Sequence, residues 1–229
     1  GTTSLHQYLS QHPDIFMLPQ KETNFFAQDS ALCLIDRTVR SEQEYKELFN
    51  DAGGATAVGE TSPAYLAVPD SPKLIKKLIP DVKLIVILRN PIERAYSHYL
   101  MRRRQGKEFR TTFEECLAVD DLDPARSYKS RGFYGQQLER YLKEFSMEQM
   151  KIFLYEDFLK DALRVVHEIC TFLGVDPAFT PDMKEKYNVN PPADKPMSSA
   201  AKKILQDLYR NDIALAGHLI GRDVSHWLQ

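Results

Sequence analysis

Cysteine is scarce. The three present among 229 residues, Cys33, Cys116 and Cys170, are an odd number with no C-x-x-C spacing, so neither a disulfide framework nor a zinc site is suggested. That sparseness favours a reducing compartment. No apolar run approaches the ~18 residues of a membrane-spanning helix, and the opening Gly1-Thr2-Thr3-Ser4 lacks the basic and apolar regions of a secretory signal. An excess of either charge is missing too: 30 Lys and Arg against 32 Asp and Glu leave a formal charge of −2. A dedicated binder of nucleic acid or anionic membrane would carry a strong basic excess. The chain also lacks repeats at a solenoid period and any Gly/Ser- or Pro-rich linker long enough to divide it, so residues 1–229 read as a single domain. It opens without Met, directly inside what reads as a functional loop. The expectation is therefore a fragment of a cytoplasmic protein, or of a Golgi-lumenal one whose anchor has been removed.

What is present is ordinary globular material: 43% hydrophobic, 27% charged and 10% aromatic residues. A chain of this length can remove about 70% of its unfolded surface from water. Val82 to Leu88 (VKLIVIL) is almost continuously apolar and β-branched, the pattern of a strand covered on both faces of a parallel sheet. Thr56–Gly59 and Lys151–Leu154 are shorter candidates. Helices are expected from Thr3 to Pro13, from Ser71-Pro72 to Pro80, over Gly132–Phe145, over Leu159–Leu173 with Gly174 as the stop, and from Ser198 to about Tyr209. Ser41 with Glu44 and Thr111 with Glu114 have capping-box spacing. This alternation predicts an α/β domain of three layers around a mainly parallel sheet. Ligands of such sheets sit beyond the carboxyl ends of the strands.

Three segments can carry chemistry there. Gly1-Thr2-Thr3-Ser4-Leu5 puts a glycine and three hydroxyl residues at a helix start, where free N–H groups and the helix dipole suit a phosphate or sulfate. An ordinary Thr/Ser N-cap explains the same residues. Leu88-Arg89-Asn90-Pro91-Ile92-Glu93-Arg94-Ala95-Tyr96-Ser97 ends the apolar strand with Arg89 and opens a helix with an Asn cap, a proline and an acid at capping-box spacing. Arg89 and Ser97 could then hold one phosphate between them, or make a structural ion pair and a packing contact. Pro19-Gln20-Lys21-Glu22-Thr23-Asn24-Phe25-Phe26 holds a Lys-Glu pair in a loop before two aromatics. Glu22 could serve as a general base there, or the pair could be a solvated ion pair.

In this order and at roughly these separations, the three segments resemble sulfotransferases that use 3′-phosphoadenosine 5′-phosphosulfate, in the branch containing heparan-sulfate and related bacterial enzymes. Gly1-Thr2-Thr3-Ser4 is similar to the end of that family's 5′-phosphosulfate loop, Arg89 to Ser97 to its 3′-phosphate motif, and Lys21-Glu22-x-x-Phe25-Phe26 to the segment carrying its carboxylate base. Glu60-Thr61-Ser62-Pro63-Ala64-Tyr65 (a substrate-side and structural segment), Arg131-Gly132-x-Tyr134 and Gly221-Arg222-Asp223-x-Ser225-x-Trp227 extend the similarity over nearly the whole chain.

The resemblance implies a P-loop-NTPase-like fold lacking its first strand here, and in-line sulfuryl transfer without a metal. Glu22 would be the base, with Lys21 beside it. Gly1, Thr2, Thr3, Ser4, Arg89, Ser97, Tyr134 and Lys195 would bind the nucleotide, Lys195 standing for the family's basic loop. It also implies a lysine two positions ahead of Gly1, and a chain without that lysine is expected to turn over poorly. The acceptor can be a small molecule, a lipid or a glycan. The basic run Arg102, Arg103, Arg104 and Lys107 reads either as a polyanion-facing surface or as a solvated helix face. The oligomeric state is not readable. The alternatives are a P-loop nucleotide kinase, against which Gly1 stands where a Walker lysine is required, and a non-catalytic nucleotide- or glycan-binding relative.

Overall fold

The computed structural model describes residues 1–27, 39–120, 126–185 and 196–229. In chain order it contains α1 (Thr2–Leu9), β1 (Ile15–Met17), α2 (Glu42–Glu47), β2 (Ala57–Gly59), α3 (Ser71–Leu78), β3 (Leu84–Leu88), α4 (Pro91–Arg104), α5 (Phe113–Val119), α6 (Tyr134–Leu142), β4 (Met150–Leu154), α7 (Tyr155–Lys160), α8 (Ala162–Leu173) and α9 (Ser199–Ile220). Strands β1 and β2 pair in parallel with Ile15 opposite Ala57, and β3 and β4 pair in parallel with Leu84 opposite Met150. Among the described residues the two ladders are separate, each of two strands.

Alternation along β3 and β4 builds the layers. Successive strand side chains point to opposite faces, so Leu84, Val86 and Leu88 face one core with Met150, Ile152 and Leu154, while Ile85, Ile87 and Phe153 face another. The first core is closed by α4, α5, α6 and α9, through residues such as Ile92, Cys116, Leu138 and Leu205. The second is closed by α1, α7 and α8, through Leu5, Leu9, Phe158, Val165 and Ile169. Helices thus cover both faces of the β3–β4 pair, the three-layer α/β arrangement that the apolar run at 82–88 predicts. No helix among the described residues is long and apolar enough to cross a membrane.

Several boundaries differ from expectation. The capping box before α5 uses Thr112 and Glu115, one residue later than the predicted pair: Thr112 accepts from the Glu115 N–H, while the Thr111 N–H and hydroxyl also turn toward the Glu115 carboxylate. Asp161 splits the predicted 159–173 helix, because its side chain caps α8 by accepting from Arg164 N at 2.9 Å. Gly174, at φ 83°, ends α8 as expected. Helix α9 runs eleven residues past Tyr209 because Leu205, Tyr209, Asp212, Ile213 and Ala216 keep one buried stripe at helical spacing.

That stripe also sets the start of α6. Tyr209 donates to the Lys129 carbonyl at 2.7 Å, and the Asp212 carboxylate accepts from Gly135 N at 2.9 Å and Gln136 N at 3.0 Å. Asp212 therefore caps a helix whose own N-cap, Phe133, supplies no side-chain bond. A Cβ at Gly132 would lie 2.4 Å from the Tyr209 oxygen, and one at Gly135 would lie 2.7 Å from the Asp212 carbonyl oxygen. Both glycines are there so that α6 and α9 can touch. In consequence α6 begins at Tyr134 rather than Gly132.

Candidate active site

The carboxyl ends of β3 and β4 meet the N-terminus of α1, and the segment after β2 reaches the same helix through Thr61 and His6. Helix α1 starts at Thr2 with Gly1 as its N-cap, so Thr2, Thr3 and Ser4 occupy its first turn instead of capping it. The ordinary hydroxyl-cap explanation of this segment therefore does not describe it. The first turn of an α-helix leaves its N–H groups without intrahelical partners, at the positive end of the dipole. A Cβ on Gly1 would come within 3.1 Å of the Tyr155 ring and 3.5 Å of the Ile87 side chain. The opening turn thus lies against the end of β3 and the residue that follows β4.

Arg89 directly follows β3. Asn90 caps α4 by accepting from Ile92 N at 2.9 Å, which fixes the turn. Glu93 does not complete a reciprocal capping box; it takes the Arg89 guanidinium, with Nε at 3.3 Å and Nη2 at 3.2 Å from Oε2. The guanidinium also lies over the Tyr155 ring, 5.4 Å from its centre. Ser97 is four residues beyond Glu93, hence one turn along the same stripe of α4. Tyr134 is buried. Burial pushes its phenol up, opposed by Arg94, by a hydrogen bond from the Arg89 backbone and by the Arg89 charge, so Tyr134 stands behind the same turn.

The Lys-Glu pair meets the opening turn directly. Lys21 Nζ donates to Thr3 Oγ1 at 2.7 Å and lies 4.0 Å from Glu22 Oε1. Burial lowers the Lys21 pKa, with Glu22 acting the other way. Lys21 is 22% exposed and Glu22 41%, so the acid is the more accessible of the two. The start of α1, Arg89 and Lys21 thus share one neighbourhood, Lys21 on Thr3 and Arg89 on the ring that Gly1 abuts. On α4, burial first and then Arg94, Arg131 and Arg102 hold the His98 pKa at about 3.

Of the residues singled out in sequence, Gly1, Thr3, Lys21, Glu22, Arg89 and Tyr134 are brought into this neighbourhood by the contacts just described, and Thr2, Ser4 and Ser97 by the helices that carry them. Lys195 lies outside the described residues. Sequence reasoning passed over two neighbours, Tyr155 and His6. Tyr155 is the first residue after β4 and was findable by the rule that strand ends bear function. His6, one turn after Thr3, is buried with Nδ1 3.0 Å from Thr61 Oγ1, and burial and the Lys21 charge lower its pKa. Arg94 and Arg131, already within the motifs around Arg89 and Tyr134, both act on His98.

A family model described as "Sulfotransferase domain" matches residues 1–206. Curated relatives include mouse bifunctional heparan sulfate N-deacetylase/N-sulfotransferase 4, 26% identical over all of this chain and 30% of its own length. Human heparan sulfate glucosamine 3-O-sulfotransferase 6 is 30% identical over 76% of this chain and 49% of its own length. The chain thus spans about a third to a half of these relatives. The crystal structure of a sulfotransferase from Alicyclobacillus acidocaldarius is 35% identical, covers 100% of this chain and 94% of its own, and superposes with a TM-score of 0.89. A sulfotransferase domain from the curacin biosynthetic pathway, at 16% identity and a TM-score of 0.56 over 91% and 93% of the two chains, shares the fold.

Proposed function

This chain belongs to the sulfotransferase family, and we propose that residues 1–229 form one catalytic domain that moves a sulfuryl group from 3′-phosphoadenosine 5′-phosphosulfate to an acceptor hydroxyl or amine. The observation that carries this reading is the contact of Lys21 with Thr3 at a helix start whose Gly1 abuts the same Tyr155 ring that Arg89 covers. A nucleotide with anionic groups at both ends of its ribose needs cations, N–H donors and hydroxyls on one surface, and this donor set meets that need.

The nucleotide supplies the sulfuryl group. The α1 first turn and the hydroxyls of Thr2, Thr3 and Ser4 bind the 5′ end. Arg89 leaves Glu93 for the 3′-phosphate, joined by the Ser97 hydroxyl; Tyr134 supports the turn that aims Arg89, and Lys195 adds a further cation. Lys21 holds Thr3 and stabilises negative charge beside Glu22. Glu22 accepts the acceptor's proton as the oxygen or nitrogen forms its bond to sulfur, while the bond from sulfur to the 5′-phosphate oxygen breaks and 3′,5′-adenosine bisphosphate leaves with that electron pair. Positioning and charge stabilisation do most of the work, as in phosphoryl transfer, and the chain's own cations supply that charge without a metal. The names of the curated relatives favour a glycan acceptor over a small molecule or lipid, and the sparse cysteines favour a cytoplasmic setting.

The test is a panel of glycan, phenol, amine and lipid-alcohol acceptors given labelled donor and the full-length protein. Glu22→Gln is expected to lower kcat roughly 10²- to 10⁴-fold, with the affinity for 3′,5′-adenosine bisphosphate little changed. Unaltered turnover in that variant removes Glu22 from the mechanism. Bisphosphate binding without donor consumption on any acceptor would instead identify an inert binding relative.

A further inference from the structure

We infer that Glu60 is a positioning residue that holds the Glu22 base in place, an inference that rests on the sulfotransferase reading. Glu60 directly follows β2, and it and its two successors take hold of three successive residues of the base loop. The Thr61 carbonyl accepts the Glu22 N–H at 3.0 Å. The Glu60 carboxylate accepts the Thr23 hydroxyl at 2.7 Å, and Ser62 Oγ accepts the Asn24 N–H at 3.3 Å. Ser62 in turn donates to Glu60 Oε2 at 2.8 Å, while Tyr45 and Tyr65 donate to Oε1 at 3.0 and 2.7 Å. Four hydroxyls from three stretches of the chain thus converge on one carboxylate, filling the directions from which its two oxygens accept.

Backbone geometry says why the loop needs such a grip. Glu22 and Asn24 have φ of 61° and 51°, in the left-handed region that side-chain-bearing residues rarely enter. Conformations of this kind persist when the surroundings over-determine them, and they cluster at functional sites. Asn24 contributes by donating from Nδ2 to the Glu22 carbonyl at 2.9 Å, but that bond lies within the loop. The external hold comes from residues 60–62. Thr23 joins the two halves: its hydroxyl touches Glu60 and Tyr65, and its backbone carries Glu22 on one side and Asn24 on the other. This chain of contacts meets α1 at its edges, through Lys21 on Thr3 and the Thr61–His6 bond, while Glu60 and Thr23 grip the loop itself. Loosening the grip should therefore misplace the base while leaving donor binding in place.

The experiment compares Thr23→Val, Thr23→Ser and Glu60→Gln with the wild type and with Glu22→Gln, using the acceptor that wild type turns over fastest. The readouts are kcat, the donor KM and calorimetric affinity for 3′,5′-adenosine bisphosphate. A displacement of about 1 Å can cost about 10²-fold in rate. Thr23→Val and Glu60→Gln are thus expected to lose about 10- to 100-fold in kcat, with donor KM and bisphosphate affinity within about twofold of wild type. Thr23→Ser, which keeps the hydroxyl, is expected to recover kcat to within about threefold. Combining Thr23→Val with Glu60→Gln should cost little beyond the worse single change, because both break one contact. A Thr23→Val enzyme with wild-type kcat overturns the inference, as does a loss of kcat accompanied by a parallel loss of bisphosphate binding. If Glu22→Gln turns over like wild type, Glu22 leaves the mechanism and its positioning by Glu60 falls with it; if Glu22→Gln is inactive and Thr23→Val normal, only the positioning role falls; donor consumption on no acceptor by the wild type would bring down the functional reading itself.

Discussion

Glu60 and Glu108 both withdraw a carboxylate from water, with opposite kinds of donor. Around Glu60 the four side-chain donors are neutral hydroxyls, from Thr23, Tyr45, Ser62 and Tyr65. Around Glu108, whose side chain is fully buried between α4 and α5, stand Arg126 Nε at 2.9 Å, Arg110 through its N–H at 3.1 Å and its guanidinium at 3.4 Å, and Tyr128 at 3.1 Å. Burial by itself raises the pKa of Glu108. The Arg110 N–H, the Tyr128 hydroxyl and the Arg126 charge more than reverse that and hold it at about 2. The first cage directs a neighbouring loop at the candidate site. The second neutralises a charge and holds the fold. Guanidinium partners supply stability with a pH dependence attached, whereas hydroxyl partners supply direction.

The largest effect that would sharpen this contrast is Glu108→Ala. It strands Arg110 and Arg126 beside buried Tyr128 and is expected to cost about 3 to 5 kcal/mol, read as a lower urea midpoint. Glu60→Gln should cost less, about 1 to 2 kcal/mol, because its partners are uncharged; the reverse order would break the comparison. Next comes pH. Glu108 is depressed in the folded state, so its contribution is fully present above the ordinary carboxylate value near 4.5 and is lost as pH falls through about 2. Wild type is expected to shed up to about 3 kcal/mol across that window, and Glu108→Gln should flatten the loss in acid unfolding curves. Smaller again, Tyr65→Phe removes one of four donors to Glu60 and should cost about 1 kcal/mol in thermal unfolding, with kcat changed less than in Thr23→Val. The smallest effects belong to the solvated α2. Ser41→Ala removes a capping box for about 1 kcal/mol, and Lys46→Ala should fall within about 0.5 kcal/mol in the same melts because its pair with Glu42 is exposed.

Much of the architecture was legible because its signals are local. The apolar run ending at Leu88, the Asn90-Pro91 helix start and the Ser41–Glu44 capping box lie within a few residues of the elements they define. Errors arose where two local readings competed. Thr111 and Thr112 each have an acid three residues on, and only the folded turn selects Thr112 with Glu115. Asp161 looks like a residue within a helix until its side chain caps the next one. In α9, the expected stop at about Tyr209 missed the buried stripe that carries the helix on past Gly217, where a Cβ would come 2.8 Å from the Arg222 carbonyl oxygen.

The candidate site divides in the same way. Arg89, Lys21, Glu22 and the Gly1 turn are readable because strand ends and helix starts are where anion and proton chemistry is placed. The contacts that hold them are not. Thr23 and Glu60 are 37 residues apart, His6 and Thr61 55, and Asp212 and Gly135 77.

From its residues alone, then, the chain determines where most strands and helices lie, though not the start of α6, and which side chains are chemically able to act. Those properties depend on backbone dihedrals, capping and hydrophobic periodicity over a few residues. Folding decides which of them meet: that Glu60 gathers four hydroxyls beside the Glu22 loop, and that Lys21 reaches Thr3 at the start of α1. Such meetings require loops to close over tens of residues, at an entropic cost that only the two packed cores offset.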